Sequence, residues 1–163
     1  MQLLWAPWRL AYIKHTGGDE GCIFCAASAE GRDRENLIIH RGVHAFLILN
    51  RFPYNAGHLM AVSYRHVATL RDLNAEEIVD LMRLVDRGVQ ALTDRYRPDG
   101  FNIGINMGRA AGGGILDHVH VHVVPRWVGD TNFMPVLSDV KVIPEHLDAT
   151  YQQLAEALAR LPA

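Results

Sequence analysis

The sequence predicts an α+β fold, an antiparallel sheet with one long helix and a short helix near the C-terminus. Three observations point to it. Short apolar runs bounded by turn residues recur at 37–50, 58–64, 101–106 and 118–125. One segment, Ala75 to Tyr96, changes to a helical period. Helices are too few for the strand–helix alternation of a doubly wound sheet. The 163 residues suffice for one domain with a core. With no internal repeat, low-complexity tract or linker, residues 1–163 read as a single domain with an N-terminal CxxC arm and a C-terminal tail helix.

Taken in order, "HTGGDEG" (His15 to Gly21) is a turn leading into "CIFC", and "SAEGRDREN" reads as a loop. "LIIHRGVHAFLILN" (Leu37 to Asn50) reads as two short strands broken near Arg41 and Gly42. "RFPYNAG" is rich in turn formers, and "HLMAVSY" (His58 to Tyr64) follows as a strand. In the long helix Ile78, Leu81, Met82, Val85, Val89 and Leu92 fall on one face. Asn74 is its N-cap, with Glu77 three residues on in a capping box, and "RPDG" ends it. "FNIGIN" is a strand, "MGRAAGGG" a glycine-rich loop and "HVHVHVVP" the last clear strand. A helix from about Glu145 to Leu161 closes the chain.

Composition narrows the function classes. A formal net charge of -2 supplies no large basic field, so duplex nucleic acid is not an expected partner. No apolar run reaches the ~20 residues needed to cross a bilayer, so no membrane role is expected. In "MQLLWAPWRLAYIKH" the basic residues follow the apolar ones and no small-residue cleavage site appears, so a cytoplasmic location is expected. The two cysteines, Cys22 and Cys25, are then reduced, and their spacing suggests metal or redox chemistry.

The chemical signal is "HVHVHVVPRW", His118 to Trp127. On a strand the three histidines share one face and Val119, Val121 and Val123 the other, which makes the valines the core face and the histidines the lining of a surface or cleft. Three readings stand: solvated side chains, a metal site, or nucleophilic catalysis. A straight strand spreads three alternate residues over ~13 Å, too far for one zinc with bonds of about 2 Å. A neutral imidazole is a good nucleophile near neutral pH, and its neighbours can fix its tautomer and bind anions. The upstream "GRAAGGG" is a candidate phosphate cradle, because glycine lets backbone N–H groups approach phosphate oxygens.

The run His118-Val119-His120-Val121-His122-Val123-Val124 resembles the signature of the histidine triad (HIT) family, in which histidines alternate with apolar residues. "LNRFPYNAGHLMAVSYRHVATLRDL" is similar to a second block of that family. "GINMGRAAGGGILDHVHVHVVPRW", "GDTNFMP" and "VIPEHL" resemble its bacterial branch, which contains diadenosine tetraphosphate phosphorylases and hydrolases. The resemblance implies a homodimer of α+β protomers, or a tetramer of them. It also implies a nucleotide substrate, an adenine dinucleoside polyphosphate or an AMP derivative, and a covalent nucleotidyl-histidine that water or phosphate resolves. It maps the nucleophile to His120, phosphate contacts to His122, and the supporting histidine to His118. Asn50 matches a ribose-contacting position, and Asn106 with the loop through Gly113 matches the phosphate side. Some relatives carry a glutamine where this chain has Gly114, which leaves the leaving-group chemistry open.

Cys22 and Cys25 form half of a possible Cys2His2 site, with ordinary half-buried cysteines and a redox pair as the alternatives. The related galactose-1-phosphate uridylyltransferases use such a CxxC pair with two histidines, which here map to His66 and His118. Bound zinc would be structural. His58 is either a support for the active-site loop or a core histidine. Trp127 either stacks at the nucleotide or belongs to a dimer contact, and Trp5 and Trp8 read as packing residues. The competing functions are an adenosine 5'-phosphoramidate hydrolase using the same His120, and a nucleotide-binding protein with little activity.

Overall fold

Five strands form one antiparallel sheet in the computed structural model, which describes residues 21–112, 114–115, 117–130 and 145–162. Trp5, Trp8, Gly113 and most of the "GDTNFMP" segment lie outside the described residues. The strands are β1 (Ile38–Arg41), β2 (Ala45–Leu49), β3 (Leu59–Ser63), β4 (Gly100–Gly104) and β5 (His120–Arg126). Their spatial order is β1-β2-β3-β5-β4, so β5 inserts between β3 and β4. Among the described residues three α-helices accompany them: α1 (Ile23–Ala29), α2 (Ala75–Tyr96) and α3 (Leu147–Arg160). The sequence reading of one long and one short helix therefore missed α1. With 7 residues it is under two full turns, too short for an apolar period to repeat.

Residues paired across strands share a face of the sheet. Leu49, Leu59 and Val123 line one face, and Ile48, Met60 and His122 the other. Helix α2 packs on the first face, against β2, β3 and β5. Its start is the expected capping box: Asn74 accepts from the Glu77 N–H at 2.9 Å and Glu77 accepts from the Asn74 N–H at 2.8 Å. Its end is Arg97, in the left-handed conformation, followed by Pro98. The buried stripe is rotated from the expected one. Leu81, Leu84, Val85, Gly88, Ala91 and Leu92 face the sheet, whereas Met82 is 48% exposed. The reason is close approach: a side chain at Gly88 would sit 3.0 Å from Leu59 Cδ1, so the helix turns its small residues to the strands. Each fully buried leucine contributes about 1.5–3 kcal/mol.

Two further contacts hold the sheet edges. Asp80 on α2 accepts from the N–H groups of His44 and Ala45, at 2.6 and 3.1 Å, and so clamps the β1–β2 turn. Helix α3 packs against α2 and β1 through Leu154, Ala157 and Leu158. His40 lies half-buried in β1. Burial, then the Arg87 charge, holds its pKa below the ordinary 6.5. The unfolded chain thus binds this proton more readily, and stability falls as pH drops below 6.5. The urea midpoint should be lower at about pH 5.5 than at about pH 7.5, with a shallower dependence in His40→Gln. An unchanged slope in that variant would assign the effect to other groups.

Candidate active site and metal centre

The second face of the sheet carries the histidines, and of the two expected settings, surface or cleft, it is a cleft. His118 and His120 are 1% and 4% exposed, and only His122 is half-exposed to a cleft. Helix α1 is the cause. It lays Phe24 across this face, with ring centroids 5.4 Å from His118 and 5.0 Å from His120. His118 also precedes β5 rather than lying within it. It is tied to the loop after β3 by the Val119 N–H, which donates to the Val67 carbonyl at 2.7 Å.

His118 and His120 each have one ring nitrogen against a backbone carbonyl, which defines their tautomers. His118 donates from Nε2 to the Ser63 carbonyl at 2.7 Å, leaving its Nδ1 lone pair available. His120 donates from Nδ1 to the His118 carbonyl at 2.7 Å, which leaves the Nε2 lone pair. Burial lowers the His120 pKa, with this backbone bond opposing the shift, so the ring is neutral at neutral pH. His122 is set from further away. The Tyr54 N–H donates to His58 Nδ1 at 3.1 Å, so His58 carries its proton on Nε2. That proton points at His122 Nδ1, 3.0 Å away, so the His122 proton is on Nε2. The Asn106 amide nitrogen sits 3.4 Å from that Nε2, and turning the amide by 180° would present its oxygen to the proton instead.

A row of neighbouring imidazoles thus ends in one lone pair and one N–H at a common cleft. His120 and His122, with ring centroids 4.9 Å apart, line it together with Asn50, Tyr54, Asn106 and Gly114. The β2–β3 loop supplies one wall. Its Asn55 is buried and donates to the Pro125 carbonyl and to Asp130, at 3.0 and 2.9 Å. Gly57, at φ +79°, lets the loop press against Leu92, where a Cβ would lie at 2.7 Å. The Asn50 side-chain oxygen accepts from the Phe52 N–H at 2.9 Å, which fixes the amide at the cleft mouth. Trp127 does not join them: its indole N–H donates to the Tyr96 carbonyl at 3.4 Å, at the end of α2. His58 was readable only as a loop support or a core histidine, because its partner His122 is 64 residues away.

The four sulfur and nitrogen candidates do converge. Donor atoms of Cys22, Cys25, His66 and His118 all lie within 4.8 Å of one another. Cys22 Sγ is 3.2 Å from His118 Nδ1, and Cys25 Sγ is 3.4 Å from His66 Nδ1 and 3.6 Å from His118 Nδ1. A tetrahedral ion with zinc-like bond lengths sets neighbouring sulfur and nitrogen donors roughly 3.6 Å apart, so the set fits such an ion. The donor chemistry agrees: two thiols and two imidazoles, with the His118 lone pair aimed inward by its bond to Ser63. Burial, then the adjacent Cys22, pushes the Cys25 thiol up, and a cation is the counter-charge that reverses this. His66 reaches the cluster because its loop is held at α2, where Arg65 pairs with the buried Glu77 at 2.8 Å. These residues could hold a metal ion.

Comparison with known proteins gives this arrangement a context. The HIT domain family profile matches residues 32–128. An AP-4-A phosphorylase of Mycobacterium tuberculosis (strain ATCC 25618 / H37Rv) is 40% identical over 169 residues, covering 99% of this chain and 87% of that protein. A Zn-bound histidine triad family protein from Mycobacterium smegmatis superposes with a TM-score of 0.69 at 28% identity, over 88% of this chain and 96% of its own. A uridylyltransferase mutant superposes with a TM-score of 0.71 over 94% of this chain and 52% of its own. At 13% identity that is a likeness of fold.

Proposed function

This chain belongs to the HIT domain family, and on that premise we propose that it cleaves dinucleoside polyphosphates, diadenosine tetraphosphate among them, through a nucleotidyl group carried on His120. The observation that carries the reading is the 2.7 Å bond from His120 Nδ1 to the His118 carbonyl, which leaves a neutral imidazole with its Nε2 lone pair for attack. Nε2 forms a bond to the α-phosphorus as the bridging P–O bond breaks, and the leaving oxygen takes the electron pair. His122, with its proton on Nε2, donates to a phosphate oxygen as charge builds. Asn50 holds the ribose, and Asn106 and the glycine loop, Gly113 and Gly114 included, border the phosphates. An incoming oxygen then attacks phosphorus, the P–N bond breaks, and the electron pair returns to His120.

Phosphate is the favoured second acceptor, because the 40% identical relative is an AP-4-A phosphorylase. Gly114 leaves room and offers no side chain to place a water. Zinc is the metal we assign to Cys22, Cys25, His66 and His118, on the fit of the donor set. When bound it supplies charge and a structural tie, with all four positions filled by protein. We read residues 1–163 as one domain that pairs into a homodimer. The edge strand β4 supports this, with Ile103 48% exposed, as does the 92% exposed Val128 beside Trp127. The free thiols of Cys22 and Cys25 support a reducing compartment, the cytoplasm.

The test is product analysis of diadenosine tetraphosphate with and without phosphate. ADP plus ATP formed only with phosphate is the expected result. AMP plus ATP in plain buffer would make the protein a hydrolase. Cleavage of adenosine 5'-phosphoramidate alone would move it to P–N chemistry. No turnover of either substrate, with nucleotide still bound, would leave a binding protein.

A further inference from the structure

Beside the triad cleft lies a second, larger compartment of about 390 Å³, in the size range of small-molecule sites. The two share Asn50, Phe52 and Met60, so a molecule seated at His120 can extend into it past Asn50. Its walls are apolar and come from two directions. Helix α1 supplies Ile23, Phe24 and Ala27, and the sheet supplies Ile48 and Met60. Away from the triad, Glu30 and Asn36 border this compartment and not the cleft.

The hydrogen bonds at that rim leave a particular vacancy. Asn36 Nδ2 donates to the Ala27 carbonyl at 3.3 Å and to Glu30 Oε2 at 2.9 Å, which uses both amide hydrogens. Arg32 also donates to Glu30 Oε2, at 2.9 Å. Among the described residues, Glu30 Oε1 and Asn36 Oδ1 accept no hydrogen bond. The Asn36 bond, then Arg32, holds the Glu30 carboxyl below its usual range, so it is ionised. The backbone here is constrained as well: Leu37, also on the wall, adopts φ +63°, an uncommon conformation for leucine. It is held there by the Leu49 N–H, which donates to the Leu37 carbonyl at 2.9 Å, and by the Ile38 N–H, which donates to Asp33 at 2.8 Å. The one cation on the border among the described residues, Arg51, sits beside Asn50 and donates to the Glu35 carbonyl at 3.3 Å.

We propose that Glu30 and Asn36 form a specificity rim that reads the far edge of the nucleobase and selects purines with an amino group. The inference rests on the nucleotide reading above and adds what that reading leaves open, the base. An apolar slot takes a flat ring, and a rim of acceptors takes a donor. The 6-amino group of adenine and the N1–H and 2-amino edge of guanine share that chemistry. A purine with hydrogen at those positions gives Glu30 Oε1 and Asn36 Oδ1 no donor in exchange for the water it displaces, and a site built to receive a donor rejects a ligand without one.

The test is equilibrium binding of AMP, GMP and purine riboside 5'-monophosphate to the intact protein, by calorimetry. AMP or GMP should bind about 10-fold tighter than the unsubstituted purine nucleotide, as one charge-assisted bond at a partly exposed rim would give. The tighter of the two identifies the edge that is read. In Glu30→Ala and in Asn36→Leu the ratio should fall below about 3-fold. Taking a ratio within each variant cancels any loosening of α1, and the wild-type ratio needs no variant at all. Equal affinity of the three for the wild type overturns the rim while leaving nucleotide binding intact. Failure of all three to bind overturns the nucleotide reading and the rim together.

Discussion

His120→Ala is expected to lower kcat on the order of 10⁴-fold or more while nucleotide affinity changes less than about 3-fold. Loss of a nucleophile removes an interaction that exists only along the reaction path, so kcat and kcat/KM fall together. A 10⁴-fold loss corresponds to ~5 kcal/mol of transition-state stabilisation. The side chain is 4% exposed and touches Phe24, so truncation also opens a small cavity under α1. His120→Gln serves as the companion variant, filling most of that space without an imidazole. Both should bind AMP and neither should turn over. Rapid quenching of wild-type reactions should trap a nucleotidyl-protein, labelled from the α-phosphate side and acid-labile, that is missing from both variants. Activity within about 10-fold of wild type in either one would remove His120 from the nucleophile's role.

Removal of the metal is expected to have the second largest effect. The purified protein should contain one zinc per chain by elemental analysis, and Cys22→Ser or Cys25→Ser should lose it. If zinc is present at about 1,000 times its Kd, it contributes about 4 kcal/mol to stability. For a chain of this size that is ~8–16 °C in Tm. The loss should reach function through a defined route. Cys22 and Cys25 anchor α1, whose Ile23, Phe24 and Ala27 wall the compartment beside the cleft. Metal-free protein should therefore raise KM more than it lowers kcat, because His120 keeps its bond to the His118 carbonyl. Protein purified without chelator that holds no zinc, or loses it with no change in Tm, would contradict the assignment.

Local chemistry was legible where it repeats or caps. The alternation in His118 to Val124 predicted one valine face packed in the core, and Val119, Val121 and Val123 are buried. The Asn74–Glu77 capping box and the stop at Arg97 were readable because caps are made by residues close in sequence. Helix α1 was not readable, and neither was the rotated stripe of α2. Both depend on what the residues pack against, Phe24 on the triad in one case and Gly88 on Leu59 in the other.

The same division runs through the site. The sequence by itself singled out the candidates for chemistry: three alternating histidines, a CxxC pair, His66 and a glycine-rich loop. Side-chain type and strand period are local properties, and 40% identity to a relative follows from the sequence alone. Only the tertiary structure decided the protonation of those histidines and the shape of the space around them. A tautomer is set by whichever donor or acceptor faces each ring nitrogen. Here those partners are the Ser63 carbonyl for His118 and His58 for His122, 55 and 64 residues away along the chain. A cleft wall is likewise set by packing, and a helix of 7 residues, laying Phe24 over His118 and His120, buried those two histidines and left His122 to the cleft.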